Sequence, residues 1–316
     1  MNQKVNTVSL ILHVSLLTVN TGKIKLSHFS VKEFLLSSHV EEYFSINEKV
    51  SNSKISRLSI AYLLQFDDDS LALTVATLIS MPLALYAAEH WIDHAKSGEM
   101  DSTVVQLILC LFTSESAPLK NWIRIYNIDE GGYSDLLMDT STSKVCSTLY
   151  YSSLAGMQEV SDCLLCKGEN VNAEGGRLGN ALQAASYKGY KGISKLLLEN
   201  GAEVNAKGGE YGNALQAASF RGGGNMETVK LLLENGAEVN AEGGRFGNAL
   251  QAASFMGAEA IVKLLLENGA EVNAKGGDYG NALQAALFTG DEVIVKLLLE
   301  NGAEVNPVEG LGEYEN

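Results

Sequence analysis

Two strings recur through the second half of this 316-residue chain at almost fixed intervals. GNALQAA begins at Gly179, Gly212, Gly247 and Gly280, with spacings of 33, 35 and 33 residues. KLLLENGAEVN begins at Lys195, Lys230, Lys263 and Lys296, with spacings of 35, 33 and 33. A period of this length is one supersecondary unit that cannot bury its apolar face alone, so neighbouring units must stack into an array. Within a unit the strings lie 16, 18, 16 and 16 residues apart, which puts two extra residues between the helices of one copy, at Gly222-Gly-Gly-Asn225. A weaker copy precedes these, with Leu149 standing 33 residues before Leu182 and Asn172 standing 33 before Asn205. Five units are expected, at about 141–173, 174–206, 207–241, 242–274 and 275–306, followed by a tail at 307–316.

Each unit reads as a helix pair. Asn180 stands at a helix start with Gln183 three residues on, an Asn-x-x-Gln variant of the capping box that recurs at Asn213, Asn248 and Asn281. Ala184 and Ala185 leave room for a neighbouring backbone, and Gly189 ends the helix. Ile193, Leu196 and Leu197 give the second helix one apolar stripe at i, i+3 and i+4. Gly201 after Asn200 suits a left-handed cap. The segment Lys207-Gly-Gly-Glu-Tyr-Gly212 turns the chain toward the next unit.

This pattern resembles the ankyrin family, whose unit runs turn, helix, Gly-x-x-x-[IV]-V-x-x-L-L, Gly-Ala-x-x-Asn. The family's Thr-Pro-Leu-His is here Asn-Ala-Leu-Gln, so its Thr–His hydrogen bonding is absent and the Asn cap takes its place. The resemblance implies a mostly α, solenoid fold of five helix-pair repeats that serves protein–protein interaction without catalysis.

Residues 1–140 show no period. Thr18–Leu26 reads as a hairpin around Asn20–Gly22, followed by a short helix, Ser30–Ser37, with Ser30 as cap. Leu58–Gln65 and Pro82–Lys96 read as amphipathic helices. The segments His28-Phe-Ser-Val-Lys-Glu-Phe-Leu35 and Pro82-Leu-Ala-Leu-Tyr-Ala-Ala-Glu-His-Trp-Ile-Asp-His94 resemble fungal receptor-like proteins. In those, a NACHT nucleotide-binding module precedes a winged-helix-like segment, a helical linker and ankyrin repeats. By that resemblance residues 1–45 are a winged-helix-like remnant and 46–140 a helical linker. No G-x-x-x-x-G-K-[ST] loop occurs in the chain, so the family's nucleotide chemistry does not carry over. The resemblance makes the chain the rear, sensor portion of such a receptor, with its ATPase part encoded elsewhere or lost.

A formal charge of -15 with no Lys/Arg cluster argues against nucleic acid, because phosphate binding needs clustered cations. Four cysteines, Cys110, Cys146, Cys163 and Cys166, are too few for a disulfide scaffold and point to a reducing, cytoplasmic setting. The apolar run Val5–Val19 is 15 residues long, short of the roughly 20 that a membrane helix needs. It runs on into Asn20-Thr-Gly-Lys23 without a small-residue cleavage site, so neither membrane nor secretion is expected.

No catalytic constellation is expected, and no metal or cofactor. His90 and His94 share a helix face, but His-x-x-Asp-His lacks the Glu base of a zinc protease and reads as structural. Cys163-x-x-Cys166 has no second pair to complete a four-ligand site, and Cys163 reads as a small core residue.

The candidate sites are surfaces. Alignment of the units puts Tyr187, Phe220, Phe255 and Phe288 at one position and Lys188, Arg221, Met256 and Thr289 at the next. In ankyrin arrays these positions line the concave groove where protein partners dock, and aromatic anchors suit binding hot spots; the alternative is that the rings stack on one another as core. In the turns the charges run Glu174/Arg177, Lys207/Glu210, Glu242/Arg245 and Lys275/Asp278, alternating in sign from unit to unit. Adjacent turns are expected to pair along both rows, or to meet a partner directly, and Lys207→Glu with Lys275→Glu is expected to lower the melting temperature. The last second helix, Val293–Glu300, keeps an interior pattern, so Ile294 and Leu298 are expected at an open end that supports self-association.

Overall fold

The computed structural model describes residues 17–20, 23–26, 47–68, 78, 81, 83–113, 116–130, 132–133, 145–222 and 225–305. Among the described residues four helices form an N-terminal body: α1 (Glu48–Leu63), α2 (Ala84–Ser97), α3 (Ser102–Leu111) and α4 (Ala117–Ile125). Five helix pairs follow: α5/α6 (Thr148–Ala155, Gln158–Cys166), α7/α8 (Ala181–Lys188, Lys191–Glu199), α9/α10 (Ala214–Phe220, Met226–Glu234), α11/α12 (Ala249–Phe255, Glu259–Glu267) and α13/α14 (Ala282–Thr289, Glu292–Glu300). Strands β1 (Leu17–Asn20) and β2 (Lys23–Leu26) form the expected antiparallel hairpin, with Leu17 opposite Leu26. The Ser30–Ser37 helix lies outside the described residues, as does nearly all of Val5–Val19. A second hairpin joins β3 (Tyr126–Asn127) to β4 (Gly132–Tyr133).

The body is held by large side chains meeting once. Asn47, Asp101 and Ser116 cap α1, α3 and α4 by accepting first-turn amides, and Pro118 sits in the first turn of α4, where its missing N–H is not needed. Trp91, Phe112 and Trp122 pack with ring centroids 5.3–6.0 Å apart, and the Trp122 indole donates to the Ala88 carbonyl at 3.0 Å. Asn121, fully buried, is satisfied by the carbonyls of Phe66 and Asp68. Trp122 also meets Tyr151 of α5 at 6.1 Å, and α3 packs on α6, so the body covers the outer face of the first unit.

The array is built from small residues meeting repeatedly. First helices pack in file, α5 on α7 on α9 on α11 on α13, through fully buried alanines such as Ala184, Ala217, Ala252 and Ala286. The second helices bury one stripe: Ile193, Ser194 and Leu197 in α8, with Leu196 only half-buried. Thus a serine takes one of the three buried places and Leu196 sits at the stripe's edge.

At the far end Ile294 and Leu298 are fully buried, contrary to expectation. Their i, i+4 stripe faces the preceding helices rather than the open end. The exposed large apolar residues there are Leu287, Phe288, Val293, Leu299 and Val305.

Candidate functional site

The repeated polar residues are committed to the joints between units. Each Asn cap accepts the Gln amide three residues on, at 2.9 Å for Asn180, Asn213 and Asn248 and 2.8 Å for Asn281. The Gln side chain does not return to the cap, so the box closes on one side only. Its Nε2 instead reaches the next turn: Gln216 donates to the carbonyls of Ala241, Gly243 and Gly247 at 3.0–3.1 Å. Gln183 and Gln251 do the same one unit earlier and later. Geometry explains the preference, because the next turn brings three carbonyls within reach of one amide. On the other edge, Asn205 Nδ2 donates to the Gly236 carbonyl and its Oδ1 accepts the Glu238 amide. Asn172, Asn240 and Asn273 repeat this bridge.

The turns run in direct backbone contact. The amides of Glu210, Arg245 and Asp278 each donate at 2.9 Å to the carbonyl of the equivalent residue one unit before. A Cβ on Gly244, which has φ +63°, would fall 2.2 Å from the Tyr211 carbonyl carbon, so only glycine fits. This contact carries the side chains of one charge row into line. Arg177 pairs with Glu210 at 2.5 Å, Glu210 with Arg245 at 3.6 Å, and Arg245 with Asp278 at 3.3 Å. The row Glu174, Lys207, Glu242 and Lys275 makes no ion pair among the described residues and is exposed, so the expected pairing holds on one row of the two. A change of Lys207 or Lys275 to Glu therefore breaks no ion pair of this row.

The first unit replaces both devices. Tyr150 stands where later units have Gln, and its hydroxyl donates to Asp129 Oδ1 at 2.6 Å while accepting the Leu178 amide at 3.2 Å. Burial, reinforced by the Asp129 bond, pushes this phenol's pKa well up, so it stays a donor. Asp129 Oδ2 also accepts the Arg177 amide at 2.5 Å. The inserted Asn225, 3% exposed, fills the gap behind two first helices by donating to the carbonyls of Ser186, Tyr187 and Ala218.

The aromatic row is joined by a second one that the two recurring strings do not contain. Tyr211, Phe246 and Tyr279, from the turns, alternate with Tyr187, Phe220, Phe255 and Phe288 in a zigzag with neighbouring centroids 4.6–5.1 Å apart. Position five of each turn, Leu178/Tyr211/Phe246/Tyr279, was the available signal. Tyr187, Phe220 and Phe255 are half-buried in this stack, whereas Phe288 is 63% exposed. Lys188, Arg221, Met256 and Thr289 are all exposed beside it. The turn residues Glu174 and Lys207 border a polar cleft of about 190 Å³ with Gly176, Asn180 and Gln183. That is below the roughly 300–1,000 Å³ of ordinary small-molecule sites.

Elsewhere, His94 has both ring nitrogens engaged: Nδ1 with Asn52 Oδ1 at 2.7 Å and Nε2 with the Tyr86 hydroxyl at 2.6 Å. Cys163 packs half-buried against the core, and Cys166 is exposed. Among the described residues no group of three or more His, Cys, Asp or Glu side chains is placed to hold a metal ion. No helix among them is long and apolar enough to cross a membrane.

Residues 182–276 and 214–309 match the family model described as ankyrin repeats (3 copies). The chain carries ankyrin repeats. This architecture generally mediates protein–protein interaction and is generally non-enzymatic. A curated relative, the azaphilone pigments biosynthesis cluster protein L of Monascus ruber, is 35% identical over 175 residues. The match covers 51% of this chain and 37% of the relative, so the chain aligns with little more than a third of that protein's length.

Proposed function

We propose that the chain is a non-catalytic recognition module that binds another protein along the first-helix face and turn tips of its ankyrin array. One observation carries this reading. The copies differ at exposed positions of one face: Lys188, Arg221, Met256 and Thr289 on the first helices, and the charged pairs of the turns. They differ as well at the start of the second helix and at the buried sites of Leu178 and Ser194. The repeated Asn and Gln side chains are consumed by the joints, so they frame the surface and leave its chemistry to the variable residues. Rigid elements that present a row of varied side chains suit recognition of an extended partner.

The test changes exposed residues rather than the stacked rings, whose removal would also loosen the joints. Arg221→Ala with Met256→Ala is expected to abolish capture of partners from host lysate while leaving the melting temperature unchanged. Capture that survives the double change would move the site off this face. The same reading assigns self-association to the last unit, through Leu287, Val293 and Leu299. Sedimentation should then show a concentration-dependent dimer that Leu287→Ser removes, and a monomer at every concentration would exclude it.

A further inference from the structure

The first-helix face is graded along its length. At its first end, three cations surround one half-buried ring. The charged carbons or nitrogens of Arg177, Lys188 and Arg221 lie 5.9, 5.9 and 5.5 Å from the centroid of Tyr187. Arg177 is neutralised by Glu210 at 2.5 Å. Lys188 and Arg221 are exposed and, among the described residues, have no carboxylate within ion-pair distance. In a chain of formal charge -15 this is a local excess of uncompensated positive charge. At the other end the same positions are Met256, 41% exposed, and Thr289, beside Phe288, 63% exposed. Over four units the position therefore passes from two cations to uncharged residues, one of them apolar, beside an exposed ring.

Its repeat distance also matches one kind of chain. Equivalent rings of adjacent units stand 6.1–6.3 Å apart: Tyr187 to Phe220, Phe220 to Phe255 and Phe255 to Phe288. An extended strand rises about 3.3 Å per residue and points alternate side chains the same way, so same-side residues recur at about 6.6 Å. A helix returns a side chain to the same face about every 5.4 Å, a poorer match to this row than the strand's spacing.

We infer that this face takes an extended peptide segment in which two acidic side chains, two residues apart, meet Lys188 and Arg221, and apolar side chains two and four residues beyond meet Met256 and Phe288. This rests on the recognition reading above and specifies the partner's chemistry. The chain's own distant carboxylates do not forbid it, because at physiological salt charges more than about 8 Å apart are largely screened.

The test is selection of a displayed library of random octapeptides on the immobilised full chain, followed by fluorescence anisotropy of the enriched sequences. Enrichment of two acidic residues at i and i+2, with apolar residues at i+4 and i+6, is the expected result. Lys188→Glu with Arg221→Glu should then weaken binding at least about tenfold and reverse the charge preference of a repeated selection. Met256→Asp should weaken it without changing that preference. All three changes are at exposed sites, and unchanged melting would show that the fold is intact. Enriched peptides that are basic or uncharged but still lose binding on Met256→Asp would overturn this inference and leave the recognition reading standing. Affinity for acidic peptides within twofold of wild type after charge reversal would overturn it as well. Failure to enrich any peptide would overturn both.

Discussion

The first and last units of the array share one helix-pair design and treat their outer faces in opposite ways. In the first, Tyr150 and Tyr151 are buried, the Asp129 loop supplies the hydrogen bonds of a preceding turn, and α3 of the body lies on α6. In the last, Leu287 stands 56% exposed at the position where Ser186, Ser219 and Ser254 are buried to 0% exposure. Gln284, also in the last unit, makes no side-chain bridge to another unit among the described residues. A linear array draws its stability from nearest-neighbour joints, so an end is as stable as whatever covers it. The first unit is thus locked by side chains peculiar to the body, while the last unit has no equivalent cover among the described residues.

The sharpest way to break this comparison is at the closed end. Trp122→Ala should remove about 3–5 kcal/mol from the body, since it empties a buried aromatic cluster that reaches Tyr151. Calorimetry should then show an early transition separated from that of the array. A single transition, shifted as a whole, would mean that body and array unfold as one unit and that the closed end is no separate lock.

Inside the array, Gln216→Leu should cost about 1–3 kcal/mol, because the carbonyls of Ala241, Gly243 and Gly247 lose their donor. The same change at Gln284 should cost much less, and equal losses would show that the last joint is occupied after all. The charge row should matter least. Glu210→Gln touches two surface pairs and should cost under about 1 kcal/mol, fading as salt is raised.

A pH experiment separates the two regions without mutation. All five histidines lie before residue 95 and none lies in the array. The His94 pKa is lowered chiefly by burial and then by His90, against the opposing charge of Asp93. Its protonated form is therefore disfavoured in the folded state, and the unfolded chain binds more protons as pH falls through the ordinary value of 6.5. Acidification from about pH 7.5 to 5.5 should lower the melting of the body, and His94→Gln should blunt the drop. An array transition that moved equally would place the titration elsewhere.

The units, their helix pairs, the cap at Asn180 and the left-handed glycines were legible because each follows from spacing within about 35 residues. Local periodicity determines a helix and its caps wherever a neighbour of the same kind is guaranteed. What the residues could not disclose was which groups meet across the joint. Gln183 leaves its own helix for the next turn, and Ile294 faces inward rather than outward. One charge row pairs while the other does not, because only residues 177, 210, 245 and 278 lie on the turn-to-turn hydrogen-bonded backbone. Tyr150 and Asp129 come together across 21 residues with no repeat to announce them. Those choices depend on the rotation and close approach of one unit on the next. Periodicity in the sequence determined that the units stack; only the tertiary structure decided which atoms the stacking joins.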